Sequence, residues 1–230
     1  MVINRTSKLL YMGRGIVRVA MSNFYAHEHK EPTHYDGPRP KMPNENESLR
    51  PKMSRYLERR ELSYALANNN FWYPSRSVDG YDRIIIPCSN SLGITYYQAR
   101  AMDHWVTVRY NSPLATREDS IVILWPDGNT KAKGTVICEG PMDALAACGL
   151  NYVGIGLMGN QPSEIVVAHI VRLVIGFFEP VIVVPDLDHV EMGVYIVGSL
   201  AGYGIAAKIL LPKAKDLCEM TFQERKVLLG

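Results

Sequence analysis

Four carboxylates follow two short apolar stretches, and their types and spacing are those of a metal site. Glu139 and Asp143 come after the stretch TVIC, and Asp186 and Asp188 come after VIVV. Carboxylates held close together repel one another, and a raised pKa or a bound divalent cation relieves that repulsion. Oxygen ligands favour magnesium or manganese over zinc. From the spacing alone, a metal site and solvated acids at strand ends both remain open.

The elements that must position these acids begin at Gly134, where apolar strand-like and helix-like segments start to alternate. We predict strands at 135–138, 152–157, 181–184 and 205–211, with helices at 141–148, 163–175 and 190–201. This alternation is typical of crossover helices on a largely parallel sheet. Functional groups of such sheets gather beyond the carboxyl ends of the strands. The four carboxylates would therefore meet at one edge of the sheet.

The sequence before Gly134 predicts a smaller α+β unit. Its expected elements are a helix over 53–66, a hairpin of 83–88 with 94–100, and strands at 105–110 and 121–125. Residues 27–53 are rich in proline and poor in large aliphatic side chains, so we expect an extended segment there. The segment 9–21 fits a helix or a strand. The predicted division is an N-terminal arm or linker over 1–53, an α+β unit over 54–133 and an α/β domain over 134–230.

Composition limits the functional classes. The 230 residues are 47% hydrophobic, which is enough for a buried core, and the net charge of +2 conceals an asymmetry. Residues 1–60 hold 12 Lys and Arg against 6 Asp and Glu, whereas residues 61–230 hold 13 against 17. The basic end could contact phosphates and the acidic part a metal.

The cysteines and the apolar stretches point to a reducing, cytoplasmic setting. Four widely spaced cysteines form no C-x-x-C pair, so neither a zinc ribbon nor a disulfide framework is indicated. The longest apolar stretches, 165–178 and 181–185, are too short or too interrupted to span a bilayer. No secretory signal is recognisable at the N-terminus.

The stretch 135–219 resembles a Toprim domain in four motifs that occur in the family's order. They are Glu139-Gly140 with Asp143-Ala144-Leu145, similar to E-G-x-x-D-A-L; Leu157-Met158-Gly159-Asn160, similar to the glycine turn after the second strand; Asp186-Leu187-Asp188, similar to D-x-D; and Pro212-Lys213 with Lys215-Asp216, similar to L-P-x-x-K-D.

Further motifs upstream narrow the resemblance to the catalytic core of bacterial and phage DNA primases. They are Tyr56 to Ser63, similar to Y-L-x-x-R-G-L-S; Arg83 to Pro87, similar to R-x-x-F-P; Gly93 to Arg100, similar to a strand that ends in G-G-R; and Arg109 to Pro113, similar to K-Y-x-N-S-P. The resemblance covers residues 56–219.

The resemblance implies an α/β fold in which a Toprim domain, with a largely parallel sheet flanked by helices, follows a smaller α+β primase-type subdomain. It implies synthesis of short RNA primers from NTPs on single-stranded DNA, with Mg²⁺ or Mn²⁺ and without zinc. Glu139, Asp186 and Asp188 would be catalytic, and the metals would be held by Glu139, Asp143, Asp186, Asp188 and Asp216. Nucleic acid or nucleotide would contact Arg83, Arg100, Arg109, Lys213 and Lys215.

Several departures from the family pattern keep other functions open. No cysteines are present to build the family's zinc-binding module, and no helicase part follows, so a replicative helicase or a separate zinc-binding replisome protein is an expected partner. Val190-Glu191 stands where the family has A-G, and Cys218 stands at an acidic position. A Toprim nuclease and a non-catalytic nucleic-acid-binding replisome subunit are the alternatives. The short chain favours a phage or mobile-element source.

Overall fold

The fold is seen in a computed structural model that describes residues 9–12, 15–18, 40–90, 93–113, 121–126, 131–158, 162, 164–175 and 179–230. Its strands are β1 (Leu9–Met12), β2 (Gly15–Arg18), β3 (Tyr73–Ser75), β4 (Arg83–Asn90), β5 (Gly93–Ala101), β6 (Tyr110–Asn111), β7 (Ile121–Leu124), β8 (Thr135–Cys138), β9 (Val153–Leu157), β10 (Val181–Val184) and β11 (Ala207–Ile209). Its helices are α1 (Arg50–Glu58), α2 (Tyr64–Asn69), α3 (Pro141–Cys148), α4 (Glu164–Ile175), α5 (Val190–Gly202) and α6 (Phe222–Leu229).

The larger sheet has seven strands in the order β2-β1-β11-β10-β8-β9-β7. Neighbours from β1 to β9 pair in parallel, whereas β2 and β7 pair antiparallel at the two edges. The predicted mixed α/β class with a parallel-containing sheet is therefore confirmed. Parallel neighbours require crossover connections, and α3, α4 and α5 lie on those connections.

Two apolar cores cover the two faces of this sheet. Along β8 and β10, Val136 and Ile182 point into a core shared with α1, α2, α3 and α6, whereas Ile137 and Val183 point into a core shared with α4 and α5. This is the two-residue period of a strand that is buried on both faces. The central strands are thereby fixed in register, and the chemistry at their ends rests on a rigid support.

The smaller sheet is antiparallel, in the order β3-β4-β5-β6, and the predicted hairpin forms its centre. Arg83 at the start of β4 is fully buried, and its guanidinium donates to both Asp79 oxygens and to the carbonyls of Ala99 and Val108. The small sheet joins the large one through the Cys88 thiol, which donates to the carbonyl of Ile121.

Helix α3 lies unusually close to β9 because β9 has a glycine at the point of contact. A Cβ atom on Gly154 would stand 2.2 Å from the carbonyl oxygen of Ala144, so no other residue fits there without movement of the backbone. Helix α3 begins with Pro141 in its first turn, which suits a position with no intrahelical N–H partner.

Four helices end in the same hydrogen-bond pattern, with a residue of positive φ just past the last turn. At the end of α2, the Phe71 amide donates to Asn68 and the Trp72 amide donates to Ala67, which is a Schellman motif with Phe71 at the left-handed position. The equivalent residues after α1, α3 and α5 are Glu61, Asn151 and Gly204.

Several predicted boundaries were wrong. The helix expected over 53–66 is two helices, because the chain turns at Glu61, whose φ is +52°; the resembling motif has glycine there. The helical chain already begins at Glu47, so the extended segment expected over 27–53 is wrong at its end. Residues 105–109 form turns instead of a strand, with Trp105 and Val108 exposed. Residues 27–39 lie outside the described residues.

The two edges of the large sheet are formed by segments for which the sequence predicted no such position. The segment 9–21 contains β1 and β2, which extend the large sheet, and β7 also pairs in that sheet although it precedes residue 134. Helix α6 was not predicted. Among the described helices, none is long and apolar enough to cross a membrane.

Candidate metal and nucleotide site

The predicted acids lie at the carboxyl ends of two adjacent parallel strands. Strands β8 and β10 pair in register from Thr135 opposite Val181 to Cys138 opposite Val184. The chain therefore leaves both strands at the same level; Glu139 follows β8 directly, and Asp186 follows β10 after Pro185. The fold thus gives the carboxylates the arrangement that the sequence predicts for them.

A first group of ligand-type side chains consists of Glu139, Asp186 and His189. One side-chain atom of each lies within 4.8 Å of the others, and the Nδ1 atom of His189 is 3.0 Å from Oε2 of Glu139. The Glu139 side chain is only 12% exposed, whereas His189 is 32% exposed. Glu139 is therefore the more enclosed of these two side chains and His189 the more accessible one.

A second group consists of Asp143, Asp216 and Cys218, again with one ligand-type atom of each within 4.8 Å of the others. Asp143 is buried in the first turn of α3, and its Oδ1 accepts a 2.8 Å hydrogen bond from the amide of Cys218. Asp216 accepts a hydrogen bond from the amide of Glu219. Both carboxylates keep oxygens that could bind a cation.

Burial and mutual repulsion both act on these acids, and burial is the larger cause at Asp186 and Asp143. Burial, followed by the charges of Glu139, Asp216 and Asp188, raises the pKa of Asp186 to about 7. Burial also raises the pKa of Asp143 well above its usual range, with further contributions from Asp216 and Asp186. Because Asp216 and Asp186 act on Asp143, and Asp216 also acts on Asp186, the two groups form one electrostatic unit.

Asp188 lies at the exposed rim of the site, at 55% side-chain exposure. Its Oδ2 is 3.5 Å from Nζ of Lys215, and its Oδ1 is 3.9 Å from Nδ1 of His189. The Leu187 amide donates to the carbonyl of Lys215, which joins the turn after β10 to the loop after β11. Lys215 is thus a cation at the edge of the acidic groups.

Two arginines lie beside the second group. The Nη1 atom of Arg60 is 3.2 Å from Sγ of Cys218, and Arg60 stacks over the Tyr56 ring. Arg100 donates to the Tyr56 hydroxyl at 3.0 Å and stacks over Tyr110 at 4.6 Å from the ring centroid. Within the described parts of the chain, neither guanidinium forms an ion pair with a carboxylate. Both therefore have donors for an anion.

A buried arginine on α6 supports the loop that carries Cys218. Arg225 is 1% exposed, and its guanidinium donates to four backbone carbonyls. Two of these belong to Leu217 and Cys218, and two belong to Arg60 and Glu61. This single side chain fixes the loop that donates to Asp143 and the turn that presents Arg60.

The other predicted contact residues are placed differently. Arg83 is buried with its donors occupied, which fits a structural role better than the phosphate contact that the sequence predicts. Arg109 is exposed and donates to the carbonyl of Asp103. Lys213 is exposed close to Glu224 at the start of α6. These three are not brought into the acidic groups, whereas Arg100 lies next to them.

Sequence analysis missed His189, Arg60 and Arg225 as parts of the site. His189 follows the D-x-D motif directly, and Arg60 occupies the arginine position of the Y-L-x-x-R-G-L-S motif, so a signal existed for both. Arg225 lies in a short charged helix with no motif, and no sequence signal would have singled it out.

The donor set fits a divalent cation. Four of the six ligands in the two groups are carboxylates, and oxygen-rich sets with a high negative charge suit Mg²⁺ and Mn²⁺. The pKa of Asp186 is raised by burial and then by the neighbouring carboxylates, whose negative charge a cation would neutralise. Each group could therefore hold a metal ion.

The fold and the site together define an α/β protein with an acidic site at the strand ends of a parallel-containing sheet, and this fold occurs in phage primases. The primase fragment of the bacteriophage T7 primase-helicase protein matches with a TM-score of 0.55 and 18% identity, over 75% of this chain and 71% of that chain. A chain in the structure of bacteriophage T7 lagging-strand DNA polymerase interacting with primase domains of two gp4 subunits bound to an RNA/DNA hybrid and dTTP matches with a TM-score of 0.50 and 19% identity, over 74% of this chain and 87% of that chain. No protein-family model matches the sequence, and no curated protein matches it significantly.

Proposed function

We propose that this chain is the catalytic core of a bacterial- or phage-type DNA primase, in which a Toprim domain over 134–230 carries the metal site. The main support for this proposal is that Glu139, Asp143, Asp186 and Asp216 lie near the ends of adjacent parallel strands in a phage-primase-type fold. The ordered motif resemblance over residues 56–219 supports the same assignment. Residues 54–133 would form the accompanying subdomain, and residues 1–53 a basic arm.

In this proposal Glu139 and Asp186 hold one divalent ion, Asp143 and Asp216 hold a second, and Asp188 contributes from the rim. Bound Mg²⁺ or Mn²⁺ would supply activation of the attacking 3′-hydroxyl and neutralisation of the leaving pyrophosphate. The chain itself contributes the spacing of the carboxylates, because the paired ends of β8 and β10 fix Glu139 and Asp186 before any substrate arrives.

Arg60, Arg100 and Lys215 are the groups that would bind the triphosphate. Both guanidinium groups lie beside the second acidic group, and their planar donor forks suit phosphate oxygens. Lys215 would act as a point charge near the rim. Lys213 and Arg109, which are exposed outside the acidic groups, would contact the single-stranded DNA template more distantly.

The proposed partners are a single-stranded DNA template, NTPs and a replicative helicase or separate zinc-binding replisome protein. The T7 structure that pairs primase domains with an RNA/DNA hybrid, dTTP and a DNA polymerase is consistent with partners of this type.

The test is a primer-synthesis assay with single-stranded DNA, labelled NTPs and either Mg²⁺ or Mn²⁺. We expect short RNA products that disappear in Glu139→Gln and Asp186→Asn. Glu164→Gln is the matched control, because Glu164 is an exposed acid on α4 outside both groups. Cleavage of the DNA without synthesis would replace the proposal with a nuclease function. DNA binding with neither activity would identify a non-catalytic subunit.

A further inference from the structure

His189 is placed as a ligand and not as a helix cap. It is the residue that precedes α5, a position at which a side chain commonly accepts a hydrogen bond from the first turn, yet its ring makes no capping bond. The imidazole turns away from its own helix and places Nδ1 3.0 Å from Oε2 of Glu139, a residue 50 positions earlier in the chain. Local helix structure therefore does not explain this orientation.

The measured separation suits two ligands on one ion. Two neighbouring ligands of an octahedral ion, each about 2.1 Å from the metal, stand about 3.0 Å apart. The Asp186 carboxylate lies within 4.8 Å of both Glu139 and His189, which leaves room for a third ligand on the same ion. The turn from Asp186 to His189 is closed by the amide of His189, which donates to the carbonyl of Asp186, so the two side chains are presented from one fixed turn.

A nitrogen donor changes which ion the site prefers. Carboxylates suit Mg²⁺ and Mn²⁺ alike, whereas imidazole favours transition metals over Mg²⁺. We propose that His189 supplies a nitrogen ligand to the divalent ion that Glu139 and Asp186 would hold, and that this ligand shifts the preference of the site from Mg²⁺ towards Mn²⁺. The inference rests on the proposed metal site and adds to it the identity of one ligand and the resulting metal selectivity.

Pulsed electron paramagnetic resonance of the full chain tests this ligand directly. With Mn²⁺ added below the protein concentration, we expect electron spin echo modulation from a directly bound ¹⁴N, which changes to the ¹⁵N pattern when histidine is ¹⁵N-labelled. The modulation should vanish in His189→Gln. It should persist in His104→Gln, because His104 is exposed in the turn before β6 and outside the acidic groups.

Metal affinities test the selectivity. We expect His189→Gln to weaken Mn²⁺ binding at least on the order of tenfold while Mg²⁺ binding changes less. His189→Asp, which supplies an oxygen instead, should retain Mn²⁺ binding but lose most of the preference over Mg²⁺.

The possible failures are distinguishable. Mn²⁺ binding with no ¹⁴N modulation, or with modulation that survives in His189→Gln, would leave the proposed metal site intact and assign His189 only to a hydrogen bond that orients Glu139. Equal losses of Mn²⁺ and Mg²⁺ affinity in His189→Gln would overturn the selectivity. Absence of Mn²⁺ binding to the wild-type chain would overturn both this inference and the proposed metal site.

Discussion

At the scale of single residues, the dominant fact is that Asp186 is both withdrawn from water and close to other carboxylates. Burial and the charges of Glu139, Asp216 and Asp188 raise the pKa of this carboxyl to about 7. An unfolded aspartate has a pKa of about 3.9, so from about pH 4 to pH 7 the folded chain binds a proton that the unfolded chain has lost. The stability of the metal-free protein must therefore fall as the pH rises through this window.

Asp186→Asn should remove this penalty. We expect the variant, in EDTA, to exceed the wild type in free energy of unfolding on the order of 1–2 kcal/mol at pH 8, a figure reduced for the solvent that reaches this half-buried carboxyl. The gain should be smaller at pH 5. Urea denaturation at the two pH values measures it, with Glu164→Gln, an exposed acid outside both groups, as the control. A pH-independent difference for Asp186→Asn would contradict this account.

The residues of the site differ in how far the sequence could predict them. Glu139 and Asp186 were predictable because each lies within two residues of the end of a buried strand, which is a local pattern. The place of His189 after the D-x-D motif was a local signal, but its contact with Glu139 joins positions 50 residues apart and needs the folded sheet. Arg225 was not predictable, because it donates to a carbonyl about 165 residues away in the chain. The burial of Arg83 was not predictable, because its motif position carries no information on burial, and burial of an arginine depends on carbonyls and a carboxylate gathered from three segments.

At the scale of elements, several helices end in a left-handed residue that is not glycine, although glycine is the residue that suits this conformation best. Phe71 adopts a φ of +63° at the end of α2 and is 79% exposed, so no packing offsets the strain of a side chain in the left-handed region. The same position after α5 is Gly204. The elements themselves were largely predictable from apolar periodicity, whereas the break between α1 and α2 was not, because it needs a left-handed Glu61.

Phe71→Gly should stabilise the protein by about 0.5–1 kcal/mol, because glycine adopts this conformation without a Cβ clash. Phe71→Ala is the matched control, since it removes the ring but keeps the Cβ atom, and it should change stability little. Urea denaturation compares the three proteins. Equal stabilisation by both substitutions would assign the effect to the exposed ring instead of the backbone.

The contact between α3 and β9 gives a second prediction at this scale. Gly154→Ala places a methyl group 2.2 Å from the carbonyl oxygen of Ala144, so α3 must move, and we expect a loss of about 1–3 kcal/mol. Gly198→Ala is the matched substitution inside α5, where a Cβ atom meets nothing within 4 Å. Helix propensity should make that variant more stable by about 0.5–1 kcal/mol.

Thermal or urea denaturation of the two alanine variants measures whether stability falls in Gly154→Ala and rises in Gly198→Ala. If Gly154→Ala left the stability unchanged, α3 would be able to shift freely on β9. The position of Asp143 would then depend on the site itself and not on this close packing.

At the scale of the whole molecule, Arg225 joins the N-terminal helices to the loop after β11. Arg225→Met should leave four backbone carbonyls without this donor, two of them buried and two partly buried, and cost about 3 kcal/mol or more. It should also weaken divalent-ion binding, because the Cys218 amide would no longer be held against Asp143. Calorimetry with Mn²⁺ and urea denaturation measure the two effects.

Lys226→Met, the same substitution at the next and exposed position of α6, should change neither quantity by much. If Arg225→Met lost stability but retained full metal affinity, Arg225 would support the fold without positioning the site.

The Arg225 contacts also affect the order in which parts of the fold form during synthesis of the chain. The strand ends that carry Glu139 and Asp186 can pair once residue 184 has left the ribosome, but the carbonyls of Arg60, Glu61, Leu217 and Cys218 receive their shared donor only after residue 225 has emerged. Contacts between such distant positions form slowly, because a long loop must close first. The nascent chain would thus acquire its sheet before it acquires a finished site, and the second ion, proposed at Asp143 and Asp216, would bind only as synthesis of this segment ends.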